Sequence, residues 1–79
     1  MSDIENRVKS IIREILTEEG IGIKLEIKEN TKLKEDLGFD SLMLAVLTVK
    51  IENEFGIDIF EDGLIFTVGE ILNKLEGHK

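Results

Sequence analysis

Gly38-Phe39-Asp40-Ser41-Leu42, followed at once by Met43-Leu44-Ala45-Val46-Leu47, marks the point where an irregular segment becomes a long apolar helix. Gly38 permits a tight bend, and Asp40 and Ser41 are both residue types that accept hydrogen bonds from the unpaired N–H groups of a helix start. Three places after Ser41 stands Leu44, not Glu or Gln, so Ser41 takes no part in a reciprocal capping box. Asp40 is itself able to cap, which would leave the Ser41 hydroxyl free. A primary hydroxyl at the rim of a helix start then reads either as a simple cap or as a handle for attachment.

From Ser41 or Leu42 the helix is expected to run to about Phe55, with Gly56 as its C-terminal cap. Helical periodicity puts Leu44, Leu47, Thr48, Ile51 and Phe55 on one stripe, the expected core face. The opposite side is also apolar: Leu42, Ala45, Val46 and Val49 lie there, flanked by Met43. A small domain has little interior in which to hide both sides, so the outer one is expected to be an exposed partner-docking face beside Ser41.

Upstream, Ile4, Val8, Ile11, Ile12, Ile15 and Leu16 form an amphipathic stripe that predicts a helix from Asp3 to about Thr17. Ser2 and Glu5 have capping-box spacing, and Gly20 ends the helix. Between Gly20 and Asn30, Ile21, Ile23, Leu25 and Ile27 alternate with small or charged residues, the period of a strand. The one candidate partner is the short Ile57-Asp58-Ile59, and an isolated pair is marginal. The expectation is an extended loop whose apolar side chains dock on the helices, continuing through Leu33 and Leu37. Downstream, Glu61-Asp62 opens one helical turn that Gly63 ends. Thr67, with Glu70 three residues on, caps a last helix carrying Val68, Ile71, Leu72 and Leu75. Gly77-His78-Lys79 should fray. The fold class is therefore all-α, with three main helices, one short helix and a long first loop, in a single domain spanning residues 1–79.

The composition fits an aliphatic helical core: twelve Ile and ten Leu, four Phe, and no Trp, Tyr, Cys or Pro. Without cysteine there are no disulfides or thiolate metal sites, so packing alone must stabilise the chain. A net charge of −7 argues against nucleic acid as a partner and for basic partner surfaces. No apolar run approaches the roughly 20 residues needed to span a membrane, and the N-terminus lacks a basic region followed by an apolar one. A cytoplasmic monomer is the expectation.

No catalytic set emerges. His78 is the one histidine and sits near the C-terminus, and Ser41 has no His or Lys beside it in sequence to activate it. Asp58, Asp62 and Gly63 match three positions of a calcium-binding loop, but Phe60 and Gly69 occupy positions that need ligands, so no metal site is expected. The remaining acids, Glu52 and Glu54 among them, read as a solvated surface.

Taken together, Glu35-Asp36-Leu37-Gly38-Phe39-Asp40-Ser41-Leu42, Phe55-Gly56-Ile57-Asp58-Ile59 and Phe66-Thr67-Val68-Gly69-Glu70-Ile71 resemble the acyl carrier proteins over essentially the whole chain. The resemblance implies a four-helix bundle in which a phosphopantetheinyl transferase moves 4'-phosphopantetheine from coenzyme A onto Ser41. The arm's thiol would then carry acyl groups as thioesters between synthases or ligases, with the chain a carrier and not an enzyme. It also implies that Asp40 and Leu42 contact the transferase and that the helix after Ser41 recognises partners, through Met43, Val46, Val49 and Glu52.

The sequence departs from the fatty-acid carriers of that family. Met43, Val46 and Val49 stand where acids are usual, and the stretch from Gly56 to Phe66 is short. A specialised pathway, polyketide-like or fatty-acid-like, is therefore expected ahead of housekeeping fatty-acid synthesis. A peptidyl or aminoacyl carrier and an unmodified helical interaction module are the alternatives, with a small Ser41 hydrolase ranked last.

Overall fold

The computed structural model describes residues 3–21, 26–61, 63 and 65–77. Three helices account for its regular structure: α1 (Asp3–Glu18), α2 (Ser41–Phe55) and α3 (Val68–Glu76). Helix α1 sits centrally and packs against both α2 and α3, which scarcely touch each other. Its stripe explains this role, since Val8, Ile11, Ile12, Ile15 and Leu16 are all buried and cover more than one side of the helix. After Glu18 the chain leaves through paired bonds, with the Ile21 N–H donating to the Leu16 carbonyl (2.8 Å) and the Gly20 N–H to that of Thr17 (3.1 Å). Both bonds satisfy carbonyls that the helix end would strand. Ser2, and with it the expected box with Glu5, lies outside the described residues; Glu5 instead pairs with Lys9 at 2.8 Å.

Helix α2 ends as its sequence predicts: Gly56 adopts a left-handed φ of 72° and donates its N–H to the Glu52 carbonyl. Its core face differs from the predicted stripe. Met43, Leu47 and Ile51 are the fully buried residues, while Leu44, Thr48 and Phe55 are half-buried. The inward direction is thus rotated toward Met43, which is 4% exposed and does not belong to the outer face on which the sequence placed it. The flexible thioether joins the hydrophobic core from the first turn of the helix. The Thr48 hydroxyl satisfies itself within the helix by donating to the Leu44 carbonyl at 2.9 Å.

The long first connection contributes as much to the core as a helix does. Ile27, Leu33, Leu37 and Phe39 are each at most 2% exposed. Ile23 and Leu25, expected to dock likewise, lie outside the described residues. No strand pair forms among the described residues; the sole bridge joins Lys32 to Thr67, and not to Ile57-Asp58-Ile59. Around it the loop is clamped to the start of α3 by three bonds: Leu33 N–H to the Phe66 carbonyl (2.9 Å), Val68 N–H to Thr31 (3.0 Å) and Gly69 N–H to Glu29 (2.7 Å). The approach is close at Gly69, where a methyl group would stand 2.9 Å from the Glu29 carbonyl oxygen.

Helix α3 carries the predicted capping box in full: the Thr67 hydroxyl accepts from the Glu70 N–H and the Glu70 carboxylate from the Thr67 N–H. The short helix expected at Glu61 is not seen among the described residues. Residues 59–61 form a turn, with the Glu61 N–H donating to the Asp58 carbonyl at 3.3 Å and the Gly63 N–H to Phe60 at 3.2 Å. The Asp58 carboxylate, part of the calcium-loop pattern, accepts from the Phe60 N–H and closes this turn. Asp62 lies outside the described residues, as does His78. No described helix is long and apolar enough to cross a membrane.

Candidate functional site

Ser41 is the first residue of α2, and Asp40 caps the helix in its place. The Asp40 backbone is extended (φ −98°, ψ −176°), its carboxylate accepts from the Met43 N–H at 2.9 Å, and its carbonyl accepts from the Leu44 N–H at 2.9 Å. Ser41 is exposed, and among the described residues its hydroxyl has no hydrogen-bond partner. The capping work is therefore done by the neighbour, which leaves Ser41 Oγ available to solvent. The N–H groups of Ser41 and Leu42, the first two of the helix, have no acceptor within it and face outward at the positive end of its dipole.

The loop fixes this arrangement from behind. Gly38, in the left-handed region at φ 74°, reverses the chain. Its N–H donates to the Lys34 carbonyl (3.1 Å), and the Phe39 N–H donates to that of Leu33 (3.0 Å). The buried Phe39 ring then anchors the chain one residue before Asp40. Asp36, inside the predicted motif, braces the turn by accepting from the Lys32 N–H at 2.8 Å.

Ser41 opens onto one depression, and a second lies further along the same helix. One is a cleft of about 290 Å³ that Ser41 itself lines, with Leu33, Lys34 and Glu35 from the loop, Leu44 from α2, and Phe60, Ile65 and Phe66 from the segment before α3. The other is a shallow groove of about 420 Å³ along the outside of α2, formed by Ala45, Val46, Val49, Lys50 and Asn53. Leu42 (66% exposed) and Val49 (54%) stand out on that side, Ala45 is exposed and Val46 half-buried. Asp40, Leu42, Val49 and Glu52 thus lie at the surface as their predicted roles require, and Met43 does not.

Sequence reasoning missed the cleft, because Phe60, Ile65 and Phe66 meet Ser41 only through the tertiary clamp between the loop and α3. Only the structure reveals it: Phe66, directly before the Thr67 cap, is a large apolar residue that remains 58% exposed. Sequence reasoning also missed the ion pairs that tie α1 to α2. Arg7 binds Glu54 through both of its side-chain nitrogens that reach it, and Lys50 bridges Glu14 (2.7 Å) and Glu18 (3.8 Å). The hydrogen bond from Lys50 lowers the pKa of Glu14, the one from Arg7 lowers that of Glu54, and both cations are held more firmly protonated in return. Glu54 is in this way already engaged within the chain, leaving Glu52 as the acid of α2 that faces outward without a partner among the described residues.

The family profile described as a phosphopantetheine attachment site matches residues 6–75, nearly the whole chain. A protein of Thermotoga maritima named acyl carrier protein is 41% identical over 76 aligned positions, covering 94% of this chain and 89% of that protein. Proteins of the same name from Rickettsia bellii and Zymomonas mobilis are 33% and 36% identical; each match covers all of this chain, and 93% and 99% of the respective relative.

Proposed function

This chain belongs to the acyl carrier protein family, and from that premise we propose that Ser41 is its attachment residue, bearing 4'-phosphopantetheine for the transport of acyl groups between biosynthetic enzymes. One observation carries the assignment to Ser41: its hydroxyl is exposed and unused because Asp40 caps the helix. The surroundings suit the group. A phosphodiester on Ser41 Oγ would meet the outward N–H groups and positive dipole end of α2.

Loading needs a separate phosphopantetheinyl transferase. Ser41 Oγ forms a bond to the phosphorus nearest the pantetheine of coenzyme A, the pyrophosphate P–O bond breaks, the hydroxyl proton passes to a base on the transferase, and the adenosine bisphosphate half leaves. Asp40 and Leu42, exposed on either side of Ser41, are placed for that enzyme to recognise. When bound, the group supplies the thiol that a cysteine-free chain lacks. The protein's own part is to present Ser41 rigidly, and it acts as a carrier and not as an enzyme.

The partner surface is the outer side of α2: Leu42, Val46 and Val49, with Glu52 at its far end. Met43 drops out of this set because it is buried. The apolar character of the surface and the engagement of Glu54 by Arg7 favour synthases or ligases that dock through apolar contacts, in a specialised polyketide-like pathway. The same exposed side favours the second reading, an unmodified helical interaction module. Intact mass after incubation with coenzyme A, magnesium and a broad-specificity transferase separates the two. The carrier reading requires a gain of one phosphopantetheine in the parent and none in Ser41→Ala; no gain in folded parent protein leaves the interaction module.

A further inference from the structure

The cleft beside Ser41 is charged at its rim and apolar within. Leu33 and Ile65 are buried in its floor, Leu44 and Phe60 are half-buried, and Lys34 and Glu35 stand exposed with Ser41. Glu35 lies 4.0 Å from the Lys32 ammonium. Asp40, the other nearby acid, has a carboxylate oxygen committed to the Met43 N–H. Lys34, by contrast, has no side-chain partner among the described residues. Its backbone is nonetheless fixed, since its carbonyl accepts from the Gly38 N–H. In a chain of net charge −7 an unengaged ammonium beside the attachment hydroxyl is locally the favourable place for an anion.

Phe66 also lines the cleft, from the segment before α3. It is 58% exposed, yet its backbone is held on both sides: the carbonyl accepts from the Leu33 N–H at 2.9 Å, and the N–H donates to the Glu70 carboxylate at 3.0 Å. An aromatic ring on so fixed a root offers a flat apolar wall. Its exposure is not forced by the capping box, which uses Thr67 and Glu70.

An unengaged cation and an exposed aromatic ring lining one cleft complement a ligand that is anionic at one end and branched-aliphatic close to it. This describes the first part of a phosphopantetheine arm, a phosphodiester followed by a carbon bearing two methyl groups. We infer that Lys34 holds the phosphate of the arm on Ser41 and that Phe66 packs against its geminal methyls, so that the arm lies down in the cleft in the resting carrier. The inference rests on Ser41 being the attachment residue. Both are positioning residues and take no part in thioester chemistry. The size agrees: since an apolar cavity of about 150 Å³ accepts benzene, a cleft of about 290 Å³ has room for roughly a dozen heavy atoms. That suffices for the arm's phosphate-proximal half.

The test uses the full chain loaded by a transferase, with loading verified by mass, and compares the parent with Lys34→Gln and Phe66→Ala. Both side chains are exposed, so neither change removes core packing, and circular dichroism verifies the fold. In the parent, the geminal methyl protons should resonate upfield of their positions in free coenzyme A, because they lie over the Phe66 ring. Phe66→Ala should abolish that displacement. Lys34→Gln should move the phosphorus resonance and reduce the upfield displacement of the methyl protons without abolishing it, since the loss of one exposed charge contact weakens the resting position only modestly. Methyl resonances at the free-coenzyme positions in loaded parent protein overturn the inference while leaving Ser41 as the attachment residue. So do displaced resonances that neither variant alters. Absence of any mass gain instead overturns the attachment itself.

Discussion

Asp40 and Ser41 are adjacent, exposed and both capable of capping a helix, yet the geometry assigns them opposite consequences on substitution. The Asp40 carboxylate accepts from the Met43 N–H at 2.9 Å, at the positive end of the α2 dipole. Replacing it with Ala removes an N-cap, which costs about 1 kcal/mol, and forfeits up to about 1 kcal/mol of charge–dipole attraction at low salt. The sum, about 1–2 kcal/mol, corresponds to a fall in Tm of roughly 5–15 °C for a domain of this size. Ser41→Ala removes a hydroxyl with no partner among the described residues and puts a better helix former at the first helical position. Its stability should stay within about 0.5 kcal/mol of the parent. Asp40→Asn keeps the acceptor oxygen and should fall between the two. Urea unfolding followed by far-ultraviolet circular dichroism measures all three, with unchanged m-values licensing the comparison. A Ser41→Ala protein as destabilised as Asp40→Ala would refute the reasoning, because it would make Ser41 the working cap and its hydroxyl no longer free.

Gly69→Ala should destabilise by about 1–2 kcal/mol despite alanine's helix propensity, since the new methyl meets the Glu29 carbonyl oxygen at 2.9 Å and must lengthen the 2.7 Å bond that clamps the loop to α3; a variant at least as stable as the parent in urea contradicts that clamp. Glu14 and Glu54 have pKa values lowered in the folded state, so their ion pairs stabilise above the ordinary carboxylate value of 4.5 and that stability is lost as pH falls from there through their lower folded values. Lys50→Met should therefore flatten the acid limb of a pH–stability curve, and an unchanged slope below the ordinary carboxylate value speaks against the pairing. Val49→Asp, on a residue 54% exposed, should leave stability within about 0.5 kcal/mol of the parent while weakening capture by partner synthases or ligases; unaltered partner binding removes Val49 from the docking surface.

Much of this architecture was legible because it is written in local rules. The stripe of α1, the Gly56 cap of α2 and the Thr67–Glu70 box each depend on residues within a few positions of one another, and each is formed as predicted. That Asp40 could cap in place of Ser41 was readable for the same reason, but both readings stood open until the Met43 N–H was found on the Asp40 carboxylate. The inward face of α2 was less so, because this helix is apolar on more than one side and periodicity alone does not choose between Leu44 and Met43. Tertiary packing made that choice, burying Met43 in the core.

The features that escaped the sequence are those in which distant segments meet. Leu33 and Phe66 are joined by a backbone bond across 33 positions, Gly69 touches Glu29, and Arg7 reaches Glu54. None of these has a spacing rule. The cleft beside Ser41 depends on the first of these, since the loop and the segment before α3 line it together with Ser41 and Leu44 of α2. Gly69 shows the point at a single position: read by spacing it fails as a calcium ligand, and read in three dimensions it is the residue that lets loop and helix touch.

The chain has three serines, Ser2, Ser10 and Ser41, and the central claim is that only the last accepts the arm. Fragmentation mass spectrometry of the transferase-loaded protein, after proteolysis, tests it most directly. The added phosphopantetheine should map to the peptide containing Gly38-Phe39-Asp40-Ser41-Leu42, with Ser2 and Ser10 unmodified. An added mass on either of those, or on no serine of folded protein, would contradict it.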